Sequence, residues 1–145
     1  NYLESKIWKP FGMESDAHWA LDNTFLDELG GCCIYATLKD YTRIGIFALK
    51  QGKLANGTEV LPKKWMRDST KASKAYRHYG YQWWLSGPPY KSYYAQGIFG
   101  QMIWIDPPTE TVIVIQSASD KAWTPEADQH KFALLTAIMI KLYNL

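Results

Sequence analysis

Tyr93-Tyr94-Ala95-Gln96-Gly97-Ile98-Phe99-Gly100-Gln101-Met102-Ile103-Trp104-Ile105-Asp106-Pro107 is the stretch on which the reading of this chain turns. It combines a short strand, two glycines spaced three apart, an alternating apolar strand and a terminating proline. A glycine lets another group approach the backbone closely, because no Cβ stands in the way. The pattern predicts a strand that delivers a main-chain segment to a ligand. A plain glycine-containing hairpin with no ligand is the alternative.

Outward from this stretch, the second half of the chain reads as sheet followed by helix. Tyr79 to Leu85 is aromatic and strand-like, and Gly87-Pro88-Pro89 is a turn. Thr111 to Ser117 carries Val112, Ile113, Val114 and Ile115 without alternation, which predicts burial on both faces. Thr124-Pro125-Glu126 then opens a helix with a capping hydroxyl, a proline in the first turn and an acid beside the positive dipole end. Leu135, Ile138, Met139 and Leu142 give that helix an apolar stripe. Trp83, Trp84, Tyr93, Tyr94 and Trp104 should divide, by the two-residue period of a strand, between the core and a face turned to cleft or solvent, with core packing the default for any one of them.

The first half is mainly helical and loop. Asn1 to Trp8 reads as a helix end, broken by Pro10 and Gly12. Thr37 and Asp40 form a Thr-x-x-Asp start signal for a helix running from Leu38 to Gln51, with Gly52 placed to end it. Pro62 begins a short helix through Asp68. The division expected is a single partial α+β domain: residues 1–75 helix and loop, residues 76–145 antiparallel strands with a packed C-terminal helix.

Composition narrows the function classes. Sixteen basic and 14 acidic side chains leave a net charge of +2, no electrostatic case for nucleic acid or an anionic membrane. Lys63, Lys64 and Arg67, like Lys71, Lys74 and Arg77, read as solvated surface. The longest apolar run, Phe132 to Ile140, is far below spanning length. Adjacent cysteines do not easily close an ordinary disulfide, so Cys32 and Cys33 are expected as reduced core residues. His18, His78 and His130 are expected as surface or satisfied polar groups. Gly97-Ile98-Phe99-Gly100 lacks the lysine and hydroxyl of a phosphate loop, and no cofactor or metal is expected. No leader is expected at Asn1, where the chain starts without a methionine and reads as cut; the expectation covers cytoplasm and periplasm alike.

Four blocks, in order, resemble the C-terminal half of the beta-lactamase-like and penicillin-binding-protein-like serine hydrolases. Ile7-Trp8-Lys9-Pro10-Phe11-Gly12-Met13 resembles the element that follows the family's second catalytic motif. Gly30-Gly31 through Thr37 and Asp40 resembles the opening of a helix in its helical region, and Tyr79-Gly80-Tyr81-Gln82-Trp83 resembles a Tyr-Gly-x-x-Trp strand. Ala95 to Pro107 resembles the third active-site motif, in the form found among esterases and 6-aminohexanoate-dimer hydrolases. The resemblance implies a partial transpeptidase-like fold and an acyl-enzyme chemistry in which a Ser-x-x-Lys serine attacks a carbonyl. It implies that Ile98 offers its backbone N–H to the oxyanion, and that Ala95, Gln96, Gly97, Gly100 and Gln101 border the substrate. The departures are large: neither Ser-x-x-Lys nor Tyr-x-Asn occurs in the 145 residues. The expectation is therefore a piece of an ester or amide hydrolase that is inactive alone and either self-associates or binds the missing N-terminal segment. Ala95 stands where relatives that bind penicillin carry a lysine, which favours uncharged or linear substrates. A non-catalytic ligand-binding or scaffold module of the same fold is the rival reading.

Overall fold

A computed structural model describes residues 2–62 and 64–143. Asn1, placed in the first helix by the reading above, and Lys63, placed in a basic cluster, lie outside the described residues. The architecture is α+β. A two-stranded ribbon pairs β1 (His18–Trp19) with β2 (Ile34–Tyr35). It precedes α1 (Leu38–Leu49) and the one-turn α2 (Trp65–Ser69). An antiparallel sheet then follows in sequence order: β3 (Trp84–Leu85), β4 (Tyr93–Gln96), β5 (Met102–Asp106) and β6 (Thr111–Ile115). The chain ends in α3 (Pro125–Leu142).

The two-residue period of the strands sorts the core into two layers. Tyr93 of β4 and Ile105 of β5 pack with Ala48 of α1 and Met66 of α2. Met102 and Trp104 of β5 point the other way and pack with Leu135 of α3. Ile113 and Ile115 of β6 join the α3 layer, and Val112 joins the α1 layer. The unalternating run in β6 thus has a helix on either side. Its residues are only half-buried, because β6 is the edge of the sheet. Burying one large apolar side chain is worth about 1.5–3 kcal/mol, and β5, with Met102, Trp104 and Ile105 all buried, supplies more of them to the core than any other described element.

Helix ends follow the capping chemistry. Thr37 accepts a hydrogen bond from the Asp40 amide, and Thr124 accepts from the Ala127 amide, with Pro125 in the first turn. Helix α1 stops at Leu49, two residues short of the predicted end, because Gln51 adopts φ 58° before Gly52 at φ 83°. The short helix starts at Trp65 rather than Pro62, with the Trp65 amide donating to Pro62 O.

Three other expectations are corrected. Cys32 and Cys33 are not reduced core residues: they form a disulfide with each other. They sit in an exposed loop, where Cys33 takes φ 83° and its Cα lies 3.7 Å from that of Cys32. The strand expected from Tyr79 shrinks to Trp84–Leu85. Gln82 at φ 64° folds Gly80 to Trp83 into a turn, in which the Gly80 amide donates to Trp83 O. On α3 the buried stripe is Lys131, Leu135 and Met139, whereas Leu142 is exposed.

Candidate active site

The Gly-rich motif forms the β4–β5 hairpin. Ala95 pairs with Ile103, and Gln96 with Met102. The Gly97 amide donates to Gln101 O at 2.9 Å, and the Gly100 amide donates to Gly97 O at 3.2 Å. The second bond closes a four-residue turn with Ile98 and Phe99 at its tip. Ile98 therefore lies just past the strand, outside the ladder. Its side chain is 64% exposed, and among the described residues its amide donates no hydrogen bond.

The turn is held from behind by the segment that leads into α3. The Trp123 amide donates to Ile98 O at 2.6 Å, and the Ser119 amide donates to Phe99 O at 3.2 Å. The two glycines have separate reasons. Gly100 has φ 93°, and a Cβ there would stand 2.9 Å from Ser117 Oγ. A Cβ on Gly97 would stand 2.4 Å from Gln101 Oε1, so the Gln101 side chain lies over the Gly97 backbone.

Gln96 faces the α3 side of the sheet. Its amide nitrogen donates to Asp128 Oδ1 at 2.9 Å. Asp128 also accepts from Trp123 Nε1 at 2.7 Å and from Lys131 Nζ at 2.7 Å. Burial alone would raise the Asp128 carboxyl, but the bonds from Lys131, Trp123 and Gln96 hold it below the usual carboxylate range. The sequence reading did not single out Asp128 or Trp123. Neither is part of a recognisable motif, and only the fold brings them to Gln96 and Ile98.

The aromatic residues line the sheet more than a cleft. Trp84, Tyr94 and Trp104 are cross-strand neighbours on the α3 face. Tyr94 stacks on Trp104 at 5.1 Å and on Trp84 at 6.5 Å, with Phe132 edge-on to Tyr94 and Trp104. Trp83 and Tyr93 meet edge-to-face on the opposite side. The Trp104 indole N–H is buried without a partner among the described residues, so this stack rests on ring packing. Burial also raises the hydroxyl pKa of Tyr93 to about 12, and the Tyr93 hydroxyl donates to Ala48 O.

A separate cavity of about 530 Å³ lies by Leu3, Trp8, Met13, Asp16 and His18; residues 95–101 do not line it. No three His, Cys, Asp or Glu side chains among the described residues are grouped to hold a metal. No described helix is long and apolar enough to cross a membrane.

The layering of an antiparallel sheet between helices is that of the beta-lactamase-like folds. Residues 1–138 match the Beta-lactamase family, and the chain belongs to it. A 6-aminohexanoate-dimer hydrolase of Paenarthrobacter ureafaciens is 27% identical over 151 residues, covering 95% of this chain and 37% of that protein. A solved structure from Bacillus anthracis, provisionally assigned as a 6-aminohexanoate-dimer hydrolase, superposes with a TM-score of 0.85 at 25% identity. That match covers all of this chain and 39% of the other. A provisionally assigned beta-lactamase of Bacteroides dorei shares the fold, with a TM-score of 0.57 at 17% identity over 90% of this chain and 49% of its own. The chain thus spans about two fifths of the length of the two hydrolases named first.

Proposed function

We propose that this chain contributes the oxyanion-binding hairpin of a serine hydrolase that cleaves carboxylic esters or amides through an acyl-enzyme. The attacking serine and its proton-transfer partners belong to Ser-x-x-Lys and Tyr-x-Asn motifs outside these 145 residues. Ile98 donates one of the two backbone hydrogen bonds to the developing oxyanion, and the serine's own amide donates the other. The observation that carries the reading is the Ile98 amide itself. It follows Ala95-Gln96-Gly97 directly, stands outside the ladder, and has no intramolecular acceptor among the described residues. Gly100 and Gln101 border the same turn, and Ala95 leaves the third motif without a cation, which suits an uncharged acyl group.

On this reading the 145-residue chain is inactive by itself. The test uses p-nitrophenyl butyrate and the full-length protein that carries the chain. Ile98 occupies the second position of a four-residue turn, where proline is well accommodated, so Ile98→Pro removes the N–H while keeping the turn. Loss of one oxyanion donor lowers kcat about 10²–10³-fold, whereas Ile98→Ala stays near wild type. Equal rates for Ile98→Pro, Ile98→Ala and wild type would remove Ile98 from the chemistry. Turnover that survives replacement of the nucleophilic serine would remove the acyl-enzyme.

A further inference from the structure

We propose that Asp128, in the first turn of α3, is a positioning residue that fixes the aim of the Ile98 amide by tethering the hairpin on both sides of Gly97. The inference rests on the reading of Ile98 given above.

Gly97 and Gly100 bracket Ile98 and Phe99, and glycine restricts φ and ψ least of all residues. An oxyanion donor has to be held in place before the charge develops, so a turn this permissive needs outside restraint. Asp128 supplies it along two routes. Upstream, its carboxylate accepts from the side chain of Gln96, the residue before Gly97. Downstream, it accepts from the indole of Trp123, whose own amide donates to Ile98 O. One carboxylate thereby connects the residue before the flexible glycine with the carbonyl after it.

The tether is built to stay charged. Lys131, only 8% exposed, places its ammonium 2.7 Å from Asp128 Oδ1. Trp123, by contrast, is 63% exposed, so little apolar burial holds it in place. Its backbone takes φ 37°, a conformation that a tryptophan adopts only under restraint. The hydrogen bonds at both of its ends provide that restraint.

A merely structural Asp128–Lys131 ion pair within α3 would affect melting and leave the turn alone. Two variants of the full-length protein separate the cases. Asp128→Asn removes the charge but also leaves Lys131 buried and unpaired. Trp123→Phe removes only the indole donor from a largely exposed side chain. Both are read by kcat and KM on p-nitrophenyl butyrate and by hydrogen exchange at the residue 123 amide. A turn misaimed by a fraction of an ångström lowers kcat about 10–100-fold while KM stays within about twofold. Exchange at residue 123 speeds up about tenfold relative to the interior of α3. Unchanged exchange in both variants overturns the tether, whatever the activity does. If Ile98→Pro abolishes turnover but Asp128→Asn and Trp123→Phe keep the wild-type kcat, the positioning role is overturned and the oxyanion reading stands. If Ile98→Pro is fully active, the oxyanion reading fails, and exchange alone decides whether the tether exists.

Discussion

Asp40 organises the start of α1 from a fully buried position. Its carboxylate accepts from the amides of Glu14 and Ser15, from the Thr37 hydroxyl and from Arg43 Nη1 at 3.0 Å. Burial alone would raise its pKa, but these bonds and the Arg43 charge outweigh it and depress the carboxyl below its ordinary value. A carboxyl depressed in the folded state contributes stability that is fully present above its unfolded pKa of about 4 and is lost as pH falls through the lower folded value. Asp40→Asn is therefore expected to cost about 2–4 kcal/mol at pH 7. The gap to wild type should narrow in acid, as urea midpoints at neutral pH and near pH 3 will show. A gap that is constant with pH would mean that the charge of Asp40 does not matter. The Thr-x-x-Asp pairing was legible in the sequence, but only as a cap. The amides of Glu14 and Ser15, 26 and 25 residues upstream, come from a loop whose path no local pattern encodes.

At the scale of elements, α1 lies close against the sheet because of Gly45. A Cβ there would stand 2.5 Å from Val112 Cγ1 and 3.1 Å from Ile103 Cγ2, side chains of the two strands under the helix. Gly45→Ala would ordinarily favour a helix by about 1 kcal/mol. Here overpacking against β-branched neighbours dominates, and a net loss of about 1–2 kcal/mol is expected in thermal or urea unfolding. A stabilised variant would show that the helix can ride up at no cost. Elements whose ends are set by local chemistry were readable in advance: Thr124-Pro125 and Thr37 both start helices where predicted. Elements shaped by left-handed residues were not. Nothing in the residue types of Gln51, Gln82 or Cys33 announces a positive φ, and these positions shortened α1, reduced the Tyr79–Leu85 strand and joined the cysteines. At the candidate site, the glycine hairpin was readable from its spacing. The Asp128 tether was not, because its bond to Gln96 spans 32 residues and the Trp123 amide reaches Ile98 O only in the folded chain.

For the whole molecule, the decisive feature is the sheet order, which leaves β6 at one margin. Among the described residues, the outer edge of its Thr-Val-Ile-Val-Ile strand has no partner strand and is flanked by apolar side chains, an arrangement that invites strand addition. We propose that this edge pairs with a further segment or with a second copy of the chain. Light scattering of the 145-residue chain is expected to show dimers or larger species that Val114→Lys reduces. A monodisperse wild-type monomer would sink that expectation. The column of Trp84, Tyr94 and Trp104 crosses β3, β4 and β5, with the second and third rings tilted by only 15°. Chromophores so close and so nearly parallel share their electronic excitation, which gives the strands an optical signature distinct from that of the helices. Dichroism in the aromatic bands can therefore follow the integrity of the hairpin that carries Ile98 without any added label.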